Sequence, residues 1–144
     1  MSSVLIQNFI EQSQCPVLDE SNIDAFLSQH DEVILFFTEN PERFPEGNDV
    51  VVILPEIVKY YENRFEVAVI SQASQRKLQS RYAFTEWPSL VFIRNGKYLG
   101  VISRVQNWSD YIEKVDEILA GQAKHNPGLG VPVTVEAFPS NTST

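Results

Sequence analysis

The stretch from Glu86 to Gly100 constrains the fold of this chain more than any other. Trp87-Pro88 leads into the apolar run Ser89-Leu90-Val91-Phe92-Ile93, then Arg94, then Asn95-Gly96, and a second apolar run follows from Lys97. Asn-Gly between two such runs predicts a β-hairpin, because both central residues of the favoured tight turn need positive φ. Proline lacks a backbone N–H, so at the mouth of a strand it removes a ladder donor and needs a local reason to be there.

The rest of the chain alternates strand and helix signals. Val4, Leu5, Phe9 and Ile10 form a weak helical stripe across residues 3–13, and Cys15 to Leu18 reads as a short strand. Ser21 or Asn22 can cap a helix carrying Ile23, Phe26 and Leu27. Val33 to Thr38 is continuously apolar up to its threonine, as expected of a strand covered on both faces. The segment Glu39 to Asn48 holds two prolines and a glycine, which argues for a loop. Asp49 is positioned to cap a helix in which Val50, Ile53, Leu54, Ile57, Val58 and Tyr61 recur at helical spacing. Pro55 interrupts that pattern, deletes one backbone hydrogen bond and should kink the helix. Phe65 to Ile70 is the next strand and Gln72 to Arg81 a short polar helix. Ser109 opens a last helix bearing Tyr111, Ile112, Val115, Ile118 and Leu119, and Gly121 closes it as a cap glycine would. The expected organisation is one domain over residues 1–120 and a flexible tail over 121–144, in which Val131 to Phe138 could dock as an extended segment.

Composition excludes several functions. The 144 residues suit one core, and the net charge of −8 disfavours nucleic-acid binding, which needs clustered Lys and Arg. The single cysteine, Cys15, permits neither an internal disulfide nor a cysteine-based zinc cluster. The N-terminal residues lack a basic region, so no secretory signal is expected. No apolar run nears the roughly 20 residues that span a bilayer. A cytoplasmic location without direct membrane insertion is the expectation. His30 and His125 are far apart and lack a ligand pattern, and no Gly-rich phosphate loop is present, so neither metal nor other cofactor is expected.

The order β-α-β-α-β-α-β-β-α, with an extra helix in front, describes an α/β fold with a mixed central sheet flanked by helices. It resembles the thioredoxin fold over roughly residues 16 to 120, and Pro55, Pro88 and the Asn95-Gly96 hairpin strengthen the likeness. The resemblance implies a cis Trp87–Pro88 bond. It also implies a redox motif of two cysteines at the start of the long helix, and that motif is missing. Counting forward from Val33–Thr38 puts Pro41-Glu42-Arg43-Phe44 in its place, and counting back from Pro55 puts Gly47-Asn48-Asp49-Val50 there. Neither register offers a thiolate, so dithiol exchange is excluded. The buried aspartate of thioredoxins is absent too, since Leu35, Phe36 and Phe37 are apolar. Cys15 lies far from the motif loop and reads as a buried, incidental thiol. The expectation is a repurposed, non-enzymatic scaffold.

What remains is peptide binding. In the resembled fold, the residue before the cis-proline offers backbone groups to an extended peptide, a form of strand addition. Here that residue is Trp87, whose ring either adds apolar area to a binding face or packs inward against the long helix. Glu39, Glu42, Glu46 and Asp49 against Arg43 give the facing loop a local charge of −3, with Phe44 among them. This loop is either a solvated acidic surface or a rim for a peptide with arginines ahead of an apolar stretch, since Arg–carboxylate pairs can be bidentate. The candidate peptide-binding residues are therefore Trp87, Pro88, Glu86, Glu39, Glu42, Glu46 and Phe44.

The apolar run Val33-Ile34-Leu35-Phe36-Phe37, the proline-rich acidic loop and the run from Tyr82 to Phe92 together resemble the HupG/HyaE accessory proteins of NiFe hydrogenase maturation. The resemblance implies a thioredoxin-like protein without the two-cysteine motif. It further implies a cytoplasmic partner, the hydrogenase small-subunit precursor with its twin-arginine signal peptide, and contacts with other hydrogenase accessory proteins. A redox-inactive structural module in a larger assembly is the alternative. A thiol enzyme using Cys15 is a third.

Overall fold

A computed structural model describes residues 4–39, 43 and 45–121 of the chain. The expected tail over 121–144 lies outside the described residues except for Gly121, as do Glu42 and Phe44. The elements run α1 (Val4–Ser13), β1 (Val17–Leu18), α2 (Ile23–Gln29), β2 (Glu32–Phe37), α3 (Glu46–Tyr60) and β3 (Glu66–Ile70). A 3-10 turn (Gln72–Ser74) then opens α4 (Gln75–Tyr82), followed by β4 (Ser89–Arg94), β5 (Lys97–Ser103) and α5 (Trp108–Ala120).

The five strands form one sheet in the order β1-β3-β2-β4-β5. β1, β3 and β2 are mutually parallel, while β4 and β5 run antiparallel. This is the mixed sheet that the sequence pattern predicts. β2 is central, and Val33 through Phe37 are fully buried, because helices cover both of its faces. Ile34 and Phe36 face the core built with α1, α3 and α5, where Phe9, Leu54, Ile57, Tyr111 and Val115 meet. Val33, Leu35 and Phe37 face the other core, built with Ile23, Leu27, Leu78 and Tyr82 of α2 and α4. Each fully buried side chain of this size contributes about 1.5–3 kcal/mol relative to exposure.

Asn95 and Gly96 turn the β4–β5 hairpin at φ 53° and 79°, the left-handed pair that a primed turn needs. The strands pair in register through Ser89–Ser103, with a bulge at Phe92/Ile93. Pro55 sits inside α3, where it leaves the carbonyl one turn earlier without its helical donor.

Several terminal details differ from the sequence expectation. α3 begins at Glu46 after Pro45, so Asp49 belongs to its first turn and does not cap it. Acidic side chains in a first turn favour the helix dipole without capping. α5 begins at Trp108, and its cap is Asn107, whose Oδ1 accepts the Asp110 N–H at 2.9 Å. Ser109 instead donates its hydroxyl to that same Oδ1. Gly121 follows α5 in an extended conformation and makes no left-handed cap. In α1 the buried side chains are Ile6 and Phe9, while Val4 and Leu5 are exposed.

Candidate functional site

The C-terminal ends of β1, β3 and β2 share one edge of the molecule with the start of β4, the end of β5 and the start of α3. In a parallel α/β sheet this is the edge where chain segments splay apart and leave a crevice. Arg43, Pro45, Glu46, Arg76, Thr85, Glu86, Trp87 and Arg104 line a cleft here of about 510 Å³. The Trp87–Pro88 bond beside it is cis, as the hairpin resemblance implied.

Two chain exits shape this edge. Glu39 leaves β2 and Arg104 leaves β5, each in the left-handed region, at φ 54° and 65°. That conformation is unfavourable for residues with a Cβ and persists only where surrounding contacts fix it. The Glu39 N–H donates to Gln75 Oε1, and its carbonyl accepts from Gln72 Nε2 at 2.5 Å. Gln75, itself buried, also donates from Nε2 to Thr38 Oγ1 at 3.1 Å and to the Ile70 carbonyl at 2.9 Å. A single buried amide thus ties the ends of β2 and β3 to α4. Arg104 is held by its N–H, which donates to the Pro88 carbonyl at 2.8 Å, and by its carbonyl, which accepts from Tyr111 Oη at 3.4 Å.

The side chains at these exits are paired within the chain. Arg76 Nε donates to Glu39 Oε2, and the same guanidinium lies 5.5 Å from the centroid of the Trp87 ring. Arg104 grips Glu46 with two parallel bonds, Nε to Oε1 at 2.6 Å and NH2 to Oε2 at 2.8 Å. This fork holds the Glu46 carboxyl below its ordinary range and raises Arg104 above its own. Glu86 acts electrostatically on the same arginine.

These contacts correct two sequence expectations. The loop acids do not form a purely negative rim, because Arg76 and Arg104 arrive from other elements and neutralise Glu39 and Glu46. Nor does Trp87 offer a broad apolar face. It is 5 % exposed and its ring packs against Phe84 and Phe37, with centroids at 5.0 and 6.3 Å. This is the α2/α4 face of the sheet, opposite to the long helix α3 that was the alternative for inward packing.

Glu39, Glu46, Glu86, Trp87 and Pro88 are therefore brought to one edge. Gln72, Gln75, Arg76 and Arg104 complete the arrangement, and sequence reasoning did not select them. Their contacts with Glu39 and Glu46 span 33 to 58 residues, beyond the reach of any local pattern.

The chemistry of the edge contains no thiol. The first turn of α3 is Glu46-Gly47-Asn48-Asp49, and Cys15 lies at the opposite end of the parallel strands, before β1. Cys15 is buried and donates to the Val67 carbonyl at 3.1 Å. Burial pushes its thiol up to about 12, so it is not a thiolate near neutral pH. Among the described residues no group of three or more His, Cys, Asp and Glu could hold a metal ion, and no helix is long and apolar enough to cross a membrane.

Comparison with known proteins agrees with this architecture. Residues 5–111 match the family model described as hydrogenase-1 expression protein HyaE. The chain is 40 % identical over 136 residues to the hydrogenase expression/formation protein HoxO of Azotobacter vinelandii, covering 94 % of this chain and 91 % of that one. It is similar to the crystal structure described as HupG of Rhodopseudomonas palustris CGA009, with 33 % identity and a TM-score of 0.52 over 73 % of this chain and 95 % of that one. A thioredoxin from Plasmodium falciparum aligns with a TM-score of 0.58 at 16 % identity, over 71 % of this chain and 97 % of that one, which establishes the thioredoxin-like fold alone. With the fold, the cysteine-free edge and these matches together, the chain belongs to the HyaE/HupG family of hydrogenase expression and formation proteins.

Proposed function

We propose that this protein is a non-catalytic chaperone in NiFe hydrogenase maturation. It binds the twin-arginine signal of the small-subunit precursor in the cytoplasm, before export, through the cleft beside Pro88. The observation that carries this reading is the Glu46 carboxylate on the cleft wall. It already accepts a guanidinium through both oxygens, at 2.6 and 2.8 Å, so its orientation suits an arginine fork. Glu86 supplies a second acid in the same cleft. The apolar part of the peptide runs past Pro45 and the accessible edge of Trp87, while Glu39 and Pro88 lie beside the cleft. Glu42 and Phe44, which lie outside the described residues, are further peptide contacts in this reading.

The test is calorimetric titration of a signal peptide at low and physiological salt, with a twin-lysine peptide as control. Glu46→Gln and Glu86→Gln should each weaken binding by about 0–1 kcal/mol at low salt, and by less when salt screens the pairs. The lysine peptide should bind more weakly, because a point charge cannot make the fork. Equal binding of both peptides to the parent and the double variant would move the partner site elsewhere.

A second reading, a redox-inactive module in a larger assembly with other hydrogenase accessory proteins, has its own observation. Tyr60 and Trp108 remain 55 % and 43 % exposed while touching edge to face at 5.7 Å. Exposed aromatic pairs of this kind are favoured at protein interfaces. Loss of co-purifying accessory proteins from a Tyr60→Ser/Trp108→Ser variant that still binds the signal peptide would favour it.

A further inference from the structure

The Arg104–Glu46 pair occupies the proposed guanidinium site with the chain's own arginine. We infer that Arg104 is an internal competitor: a ligand arginine binds by displacing it from Glu46, and Arg104 thereby sets the affinity and specificity of the cleft. The inference rests on the cleft reading above and concerns its regulation.

Three features support exchange over a fixed structural bridge. The pair is open to solvent, with the Arg104 side chain 50 % and the Glu46 side chain 36 % exposed, so water can stabilise the parted ions. The backbone of Arg104 is anchored independently of its guanidinium, through the Pro88 carbonyl at 2.8 Å and Tyr111 Oη at 3.4 Å. Moving the side chain therefore leaves the β5–α5 connection in place. Finally, Glu86 lines the same cleft and already acts on Arg104, so the displaced guanidinium has a second carboxylate to turn to. The ligand then meets Glu46 while Arg104 neutralises Glu86, and the net charge of the cleft rises only by that of the ligand.

Arg76 and Glu39 form the contrasting pair. The Glu39 side chain is only 11 % exposed, and its backbone is tied to Gln72 and Gln75. Arg76 also covers Trp87. Removing Arg76 leaves a mostly buried carboxylate without its guanidinium, so this pair is structural and exchange is assigned to Arg104 alone.

The experiment titrates a synthetic peptide bearing two consecutive arginines ahead of an apolar stretch into the full chain. Arg104→Gln should tighten binding about two- to fivefold at low salt, the range corresponding to release of one exposed ion pair. Arg104→Lys should give a smaller gain, since it keeps the charge but loses the fork. The gain should vanish when Glu46→Gln is added. In the parent, the Arg104 Nε–H resonance should move on titration as its acceptor changes. Thermal melts of both variants verify that the fold is intact. Unchanged or weaker binding by Arg104→Gln and Arg104→Lys, with parent binding intact, would overturn the exchange and leave the cleft reading standing. Absence of binding by the parent and by both variants would overturn the cleft reading, and the exchange with it.

Discussion

Arg76 lies over the ring of Trp87, 5.5 Å from its centroid, while its Nε holds the carboxylate of Glu39. One exposed side chain thus closes the aromatic core from above and neutralises an acid at the end of the central strand. Arg76→Ala should lower stability by about 1–2 kcal/mol, combining a cation–π contact with a partly buried ion pair. Arg76→Lys should recover less than half, because lysine lacks the planar face. Chemical unfolding followed by tryptophan fluorescence measures both, and an Arg76→Ala variant as stable as the parent would remove this role.

Cys15 should be chemically silent in the folded state. Its thiol is buried, and burial pushes it up to about 12. Labelling by a thiol reagent at neutral pH should be slow in the native protein and immediate in denaturant. Insulin reduction should be undetectable, and Cys15→Ser should leave peptide binding unchanged. Rapid native labelling, or insulin reduction that disappears in Cys15→Ser, would restore the thiol-enzyme reading.

Glu32 should make the fold acid-sensitive. It opens β2 opposite Arg94 of β4, accepts Arg64 at 2.6 and 2.8 Å, and accepts Arg94 Nε at 3.1 Å. The hydrogen bond from Arg64 is the main cause that holds its carboxyl below the ordinary value of 4.5. The folded state therefore favours the ionised form, and the resulting stability is fully present above 4.5. It is lost as pH falls through 4.5 towards the lower folded value. Glu32→Gln should cost about 1–2 kcal/mol at neutral pH and little in acid, flattening the profile of melting temperature between them. Parallel profiles for parent and variant would contradict this.

Gly100 is needed for the packing of α5 on the sheet. A Cβ at this position would lie 2.8 Å from Ile118 Cγ1 and 3.2 Å from its Cδ1. Gly100→Ala should therefore destabilise by about 1–3 kcal/mol through overpacking. Adding Ile118→Ala should restore part of that loss, even though Ile118→Ala alone is unfavourable. A double variant whose loss equals the sum of the singles would show that the two residues do not compete for this space.

Much of the fold is written in local patterns. The apolar run of β2 marks a strand buried on both faces, because an unpaired polar side chain there would carry a desolvation cost. Asn95-Gly96 marks the hairpin because few other pairs tolerate two positive φ values. Pro88 and Pro55 fall where the resembled fold has its prolines. The missing thiol motif is equally plain, since a residue that is not in the sequence cannot be supplied by folding. Helix ends are less legible: Asn107, not Ser109, caps α5, because its side chain reaches the Asp110 N–H while the Ser109 hydroxyl donates to that same side chain.

The sequence by itself therefore determined the strand and helix order, the absence of a two-cysteine motif and the edge of the sheet at which Glu39, Glu46 and Trp87 meet. The tertiary structure alone decided the electrostatics and exposure of that edge. Glu39 and Glu46 look like an acidic rim in the linear chain, yet their counterions come from Arg76 and Arg104, 37 and 58 residues further on. Trp87 could have faced either way, and the aromatic pocket made by Phe37 and Phe84 settled it. Local sequence fixes the conformations that sterics and hydrogen-bonding patterns allow. Charge pairing and side-chain burial depend on which distant segments the packed core brings into contact.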